Sequence, residues 1–142
     1  MTTNFQNGAH YYGGHKDGLP EGKGEFYFHT GAYYKGEFKN GKPNGEGYYN
    51  YVTGAYYAGE FKEGKKCGKG MLRYHNGEEY NGEFRDDKRE GKGIYYFMDG
   101  DIYAGWWKGD VRDGKGVMKK TDGSLLEQEY KNDELISEQK KI

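Results

Sequence analysis

A tyrosine returns every 23 residues, at Tyr11, Tyr34, Tyr57, Tyr80 and Tyr103, with no insertion or deletion between copies. A chain with such a period is built from like supersecondary units, each stacked on its neighbours. Two residues after each tyrosine stands a glycine (Gly13, Gly36, Gly59, Gly82, Gly105). Two further on comes a ring in four units, Phe38, Phe61, Phe84 and Trp107, with His15 in the first. Counting the tyrosine as position 1, glycine also recurs at positions 12, 14 and 21 of every unit. Position 8 is Gly18, Gly41 and Gly64, then Asp87 and Asp110, and only Gly14 and Gly109 fall off the frame. The 26 glycines are therefore positional, which excludes low-complexity disorder, and two prolines in the whole chain exclude collagen.

The frame divides the chain into a partial N-terminal capping unit (1–10), five repeats (11–33, 34–56, 57–79, 80–102 and 103–125) and a partial repeat with a C-terminal cap (126–142). Positions 1–6 alternate ring or glycine with polar residues, and positions 12–18 form a second β-like segment, the period-2 pattern of strands. Thr30-Gly31, Thr53-Gly54, Asn76-Gly77, Asp99-Gly100 and Asp122-Gly123 read as the turns between units. Register decides their length. A three-residue loop with its glycine left-handed sets Tyr103 opposite Tyr95, Gly105 opposite Gly93 and Trp107 opposite Gly91. It also matches Lys23 with Glu37, Lys69 with Glu83 and Lys115 with Glu129, places Lys92 against Trp106, and leaves Glu46 against Glu60 as the exception. A two-residue turn scatters charge onto the aromatic face, since a one-residue slip flips every side chain.

The expected fold is all-β: a single-layer antiparallel hairpin array of about 10–12 strands at ~4.8 Å per strand, with large rings lying across bare glycines. The segment from Asn132 reads as an Asx-capped helix closing the end of the array.

The pattern Tyr-x-Gly-x-Phe/Trp-x-x-Gly-x-x-x-Gly-x-Gly at this period resembles the MORN repeat family over nearly the whole chain. His15, Asp87 and Asp110 depart from it. The resemblance implies a curved hairpin array and an adaptor role, as in ciliary radial spoke heads, cytoskeletal assemblies, junctional membrane proteins and accessory segments of lipid kinases and a lysine methyltransferase. The run from Asp86 to Tyr96, followed by Tyr103-Ala104-Gly105-Trp106-Trp107, looks most like the radial spoke head members.

Catalytic and cofactor patterns fail on spacing, so no enzyme activity and no cofactor are expected. Each Gly-x-Gly opens a strand rather than a helix N-terminus, which is not a phosphate loop. His29 and His75 sit four strands apart, roughly 19 Å, too far to share a metal. His10 and His15 point to opposite faces. Cys67 lacks an acid–base partner, although Lys65 and Lys66 are near enough in sequence to lower its pKa. A net charge of −1 gives no field for nucleic acid. One cysteine, no apolar leader and no apolar run of about 18 residues suit a cytoplasmic protein.

Two surfaces remain. The rings Tyr34, Phe38, Tyr57, Phe61, Tyr80, Phe84, Tyr103 and Trp107 form an aromatic trough able to hold an extended peptide or a helix, with sheet-edge pairing as a second route to protein partners. Trp106, where the three preceding units carry Glu, is a contact on the second face or a lid on Lys92. The basic column at position 6, including Lys39, Lys62, Arg85 and Lys108, is the alternative, a membrane phosphoinositide site, but glutamates interleave with it. The favoured reading is a protein–protein scaffold in a cytoskeletal assembly, with the ciliary axoneme as setting. Regulation of a separate enzyme chain is a third reading.

Overall fold

The computed structural model describes residues 2–141. Met1 and Ile142, the outermost residues of the expected caps, lie outside the described residues. The strands are β1 (Thr2–Asn4), β2 (His10–Lys16), β3 (Leu19–Tyr27), β4 (Tyr33–Lys39), β5 (Lys42–Asn50), β6 (Tyr56–Lys62), β7 (Lys65–Arg73), β8 (Glu79–Arg85), β9 (Lys88–Tyr96), β10 (Ile102–Lys108), β11 (Val111–Lys119), β12 (Leu125–Lys131) and β13 (Glu134–Lys140). They form one 13-stranded sheet in chain order, antiparallel throughout. Each repeat contributes one hairpin.

Between units the three-residue loop is present. Phe97 N–H donates to Asp101 O at 2.9 Å, closing over Met98, Asp99 and Gly100, whose φ is +98°. The residue before the glycine secures the loop from its side chain: Asn76 Oδ1 accepts Glu78 N–H at 3.0 Å and Asp99 Oδ1 accepts Asp101 N–H at 2.9 Å. The resulting register sets Tyr103 opposite Tyr95, Lys23 opposite Glu37, Lys69 opposite Glu83 and Lys115 opposite Glu129, with Glu46 opposite Glu60.

Within units the second strand starts three residues earlier than position 12, at Leu19, Lys42, Lys65, Lys88 and Val111. A two-residue turn causes this: Asn40 (φ 51°) and Gly41 (φ 81°) form a type I′ tip that pairs Lys39 with Lys42 at once. The strand pair then absorbs a bulge, with Gly36 opposite Gly47 but Phe38 opposite Pro43. Glu37 holds it: Oε2 accepts the Glu46 N–H at 2.5 Å, and Glu60 and Glu83 do the same for Lys69 and Lys92. These glutamates are structural caps on bulges as well as members of the charged face.

The tail is strand β13 rather than the expected helix. Asn132 (φ 50°) and Asp133 (φ 67°) occupy positions 7 and 8 of a sixth unit and make the same type I′ tip. That tip returns the chain along β12, whose edge amides and carbonyls offer a ladder that outweighs local helix propensity. Together with the short β1, this brings the sheet to one strand more than the expected upper count.

The core is a row of rings on one face. Tyr11, Tyr34, Tyr57, Tyr80 and Tyr103 are fully buried. Each lies over a glycine of its own strand and one of the next, as Tyr34 does over Gly36 and Gly47. Ten glycines from Gly13 to Gly116 pair strand to strand in an unbroken line. The line ends at Gln128, in the unit where Leu126 replaces the tyrosine. Neighbouring units then lock edge to face: Tyr34 meets Phe38 at 5.0 Å and Phe61 at 5.2 Å, and the zipper runs from His15 to Tyr130. Each such pair adds about 0.5–1.5 kcal/mol beyond area burial.

Candidate protein-binding surface

The eight trough residues come together in one continuous row, inside it rather than at its mouth. Tyr34, Tyr57, Tyr80 and Tyr103 are 0% exposed, and Phe38, Phe61, Phe84 and Trp107 are 4–6% exposed. Desolvation raises the pKa of Tyr34, Tyr57 and Tyr80 well above the usual phenol range, and that of Tyr103 to about 12. The hydroxyls of Tyr34, Tyr57 and Tyr80 donate to the carbonyls of Glu37, Glu60 and Glu83 at 2.8–2.9 Å. Tyr103, in the unit where Trp106 replaces the glutamate, has a buried hydroxyl with no partner among the described residues.

A second line of rings forms the accessible lip of this first face: Phe26, Phe28, Tyr49, Tyr51, Tyr74, Tyr95 and Phe97, all partly buried against the core. Phe28 and Tyr49 are 5.7 Å apart, Tyr49 and Tyr51 4.6 Å, Tyr95 and Phe97 4.7 Å. Lys120 follows at the next place and pairs with the buried Asp101, which ends the apolar line.

Between the two lines sits a set of cations that the sequence reading passed over. Lys66 lies 5.5 Å from the Tyr51 ring, Arg89 4.7 Å from Trp107, and Arg112 4.1 Å from Tyr130. Each joins the tip of the next hairpin. Asp87 N–H donates to Lys66 O at 3.0 Å while Lys66 N–H donates to Asp87 Oδ1 at 2.8 Å, and Asp110 repeats the clasp on Arg89. Asp133 completes the series on Arg112, receiving its Nε at 2.8 Å. The first two joints lack this clasp: Gly41 N–H donates to Pro20 O and Gly64 N–H to Pro43 O, while Glu21 Oε1 and Asn44 Oδ1 accept the Asn40 and Glu63 amides at 3.1 Å. The signal was readable: position 8 changes from glycine to aspartate one unit after position 10 changes from proline to a base.

On the other face Trp106 is 46% exposed, with Lys92 Nζ 5.2 Å from its ring centroid. The basic column lies at the hairpin tips, and Lys39, Lys62, Arg85 and Lys108 are exposed there. Three of them face another base across the turn, in Lys39–Lys42, Lys62–Lys65 and Arg85–Lys88. No ion pair engages these six side chains among the described residues. His10 stacks on Tyr27 while His15 contacts Tyr11, on opposite faces, and no metal-binding group of three residues occurs among the described residues. Burial raises the Cys67 pKa, with Glu60 and Asp86 acting in the same direction and Lys62 against it, which is the opposite of an activated thiol. Among the described residues no helix is long and apolar enough to cross a membrane.

A comparison with protein families matches the MORN repeat at residues 11–33, 34–56, 57–79, 80–102 and 103–125. The chain belongs to the MORN repeat family. The matched units coincide with the hairpins, so each MORN repeat here is one tyrosine-bearing hairpin and its outgoing loop. No curated protein matches the sequence at a significant level. Solved structures share the fold, among them two peptide complexes. One is the SAS-4 (dCPAP) TCP domain of Drosophila melanogaster in complex with a proline-rich motif of Ana2 (dSTIL), at 16% identity and TM-score 0.58, covering 89% of this chain and 70% of that one. The other is the TCP10 domain of Danio rerio CPAP in complex with a STIL peptide, at 18% identity and TM-score 0.51, covering 88% and 61%.

Proposed function

We propose that this MORN-repeat protein is a non-enzymatic scaffold that holds a partner polypeptide along the first face of its sheet, within a cytoskeletal assembly of the ciliary, radial-spoke kind. The carrying observation is the unfinished core. A one-layer sheet buries Tyr34, Phe38 and their equivalents but leaves the lip rings Tyr49, Tyr51, Tyr74, Tyr95 and Phe97 half open. A contiguous apolar strip of this kind marks a partner site. An extended peptide or amphipathic helix covers it best, the buried eight rings setting the floor and the lip rings making contact. The peptide complexes of the two TCP-domain structures support the reading, since the shared fold offers the same broad faces. The ciliary setting rests on the run from Asp86 to Tyr96 and the Trp106-Trp107 pair. Cross-linking in cells followed by identification of linked peptides tests it. Links from lip-face residues to cytoskeletal or axonemal chains are expected, and their absence would count against the scaffold.

A second reading, binding to anionic lipid, draws on the like-charge tips Lys39–Lys42, Lys62–Lys65 and Arg85–Lys88. Directly opposed bases destabilise a strand pair unless an anion relieves them. Flotation on phosphoinositide vesicles, lost on reversing Lys39, Lys62 and Arg85, would favour it over protein binding alone.

A further inference from the structure

The second face carries a row of rings confined to the N-terminal half of the sheet: its His10, Tyr33 and Tyr56 recur at the 23-residue spacing, which continues beyond them as Glu79 and Ile102. It runs His10 and Tyr12 on β2, Tyr27 on β3, Tyr33 on β4, Tyr48 on β5 and Tyr56 on β6. Successive centroids are 5.2 Å (His10–Tyr27), 6.0 Å (Tyr12–Tyr27), 5.7 Å (Tyr27–Tyr33), 6.1 Å (Tyr33–Tyr48) and 5.5 Å (Tyr48–Tyr56). Unlike the buried zipper, the row is open: Tyr12 is 44% exposed and the other rings are half-buried. Of this row only Tyr27 has its hydroxyl engaged among the described residues, on Glu25 Oε1 at 3.0 Å, which leaves Tyr12, Tyr33, Tyr48 and Tyr56 with a free donor.

We infer that this row binds a proline-rich segment in the polyproline II conformation with a basic residue at one end, an inference that rests on the protein-binding reading of the chain. The row crosses five strands, about 19 Å, the length of roughly six residues at ~3.1 Å each. A three-residue turn of that helix rises about 9.3 Å and a hairpin occupies about 9.6 Å, so prolines at every third position meet successive ring clefts in phase. Polyproline II leaves its carbonyls without internal partners, and the free tyrosine hydroxyls are donors placed to meet them. A strand cannot add here, because the backbone of β2 to β6 is already paired on both sides. Charge fixes the orientation. Glu46 and Glu60 stand opposite each other on this same face, one rung beyond Tyr48, and neither is in an ion pair among the described residues, Glu60 Oε2 accepting only the Lys69 amide. A lysine or arginine of the ligand relieves that repulsion.

The test is titration of the isotope-labelled full chain with a synthetic peptide of three Pro-Pro-Ala triplets led by one arginine, with a glycine-for-proline peptide as control. Amide shifts should centre on Tyr12, Tyr27, Tyr33, Tyr48 and Tyr56. Tyr33→Ser or Tyr48→Ser should weaken binding about tenfold. Glu46→Gln combined with Glu60→Gln should remove the preference for arginine over an uncharged lead residue. Should a Tyr48 variant lose its fold, Tyr12→Ser, at an exposed position, carries the test. No shifts, equal response to the glycine control, or binding unaffected by these variants overturns the inference. Shifts confined to Tyr49, Tyr51, Tyr74 and Phe97 overturn it too, and leave the first-face scaffold standing.

Discussion

The guanidinium of Arg89 rests 4.7 Å from the Trp107 ring centroid while its Nε meets Asp110 Oδ1 at 3.2 Å, so one side chain ties a ring of the core to the tip of the following hairpin. The carboxylate is half exposed, and its ion pair alone contributes little. The stacked cation is 18% exposed and contributes more. Arg89→Ala should lower unfolding free energy by about 1–2 kcal/mol, read by urea denaturation. Arg89→Met, which keeps the packing and drops the charge, should recover about half. A Met variant as stable as the parent would remove the cation from the account.

Asp87 tests the joint from the other side. Its φ of 70° suits glycine, the residue at this position in the first three units, yet its carboxylate accepts the Lys66 amide. Asp87→Gly should cost about 0.5–1 kcal/mol, for the lost hydrogen bond less the relaxed backbone. Asp87→Ala loses the bond and keeps the left-handed penalty, about 1–2 kcal/mol. Alanine is thus expected to be the worse substitution by denaturant midpoint, and the opposite order would mean the clasp has no weight.

Glycines of equal phase should differ in cost. A Cβ at Gly47 would fall inside the Tyr34 ring, which has no room to retreat between Phe38 and Phe61. Gly47→Ala should cost about 3 kcal/mol or more. A Cβ at Gly64 meets nothing within 4 Å and only its φ of 82° objects, for about 1–2 kcal/mol. Comparable losses at both would show that backbone conformation, not ring contact, sets the need for glycine.

Part of this arrangement is written in the sequence. The inter-unit register was legible because glycines leave only charge and ring size to choose between two turn lengths, and Lys23–Glu37 and Lys69–Glu83 decided it. The bulges were not, because they depend on Glu37 reaching back to the Glu46 amide, a side-chain geometry that position alone does not encode. The tail misled because Glu134 to Lys140 has helix-forming composition, while the Asn132-Asp133 tip that fixes its path was hidden by the loss of glycine. The second-face row is weakly periodic: His10, Tyr33 and Tyr56 share one position of the unit, but Tyr12, Tyr27 and Tyr48 occupy three others.

Alkaline pH should unfold the sheet through its core tyrosines. In the unfolded chain a phenol ionises near 10, whereas burial holds Tyr103 neutral to about 12 and pushes Tyr34, Tyr57 and Tyr80 higher. A folded-state pKa above the unfolded one gives stability that is fully present below about pH 10 and is lost as pH rises toward the folded values. Tyrosinate absorbance of the buried set should therefore appear together with loss of the circular dichroism signal. Ionisation of the whole set before any loss of ellipticity would contradict the sealed core.

Trp106 sets stability against recognition. In the fifth unit it takes the place of Glu37, Glu60 and Glu83, so among the described residues no carboxylate caps the bulge at Lys115. Trp106→Glu should restore the acceptor and raise stability by about 0.5–1.5 kcal/mol. It should also set the new carboxylate opposite Lys92, as Glu83 stands opposite Lys69. An exposed tryptophan held at a site where its replacement would be more stable points to a contact, since Trp is among the side chains that dominate binding energy. The same variant is then expected to bind its cellular partner at least about tenfold more weakly, measured with whichever chain cross-linking identifies. A variant that gains stability and keeps full affinity would make Trp106 no more than a lid on Lys92.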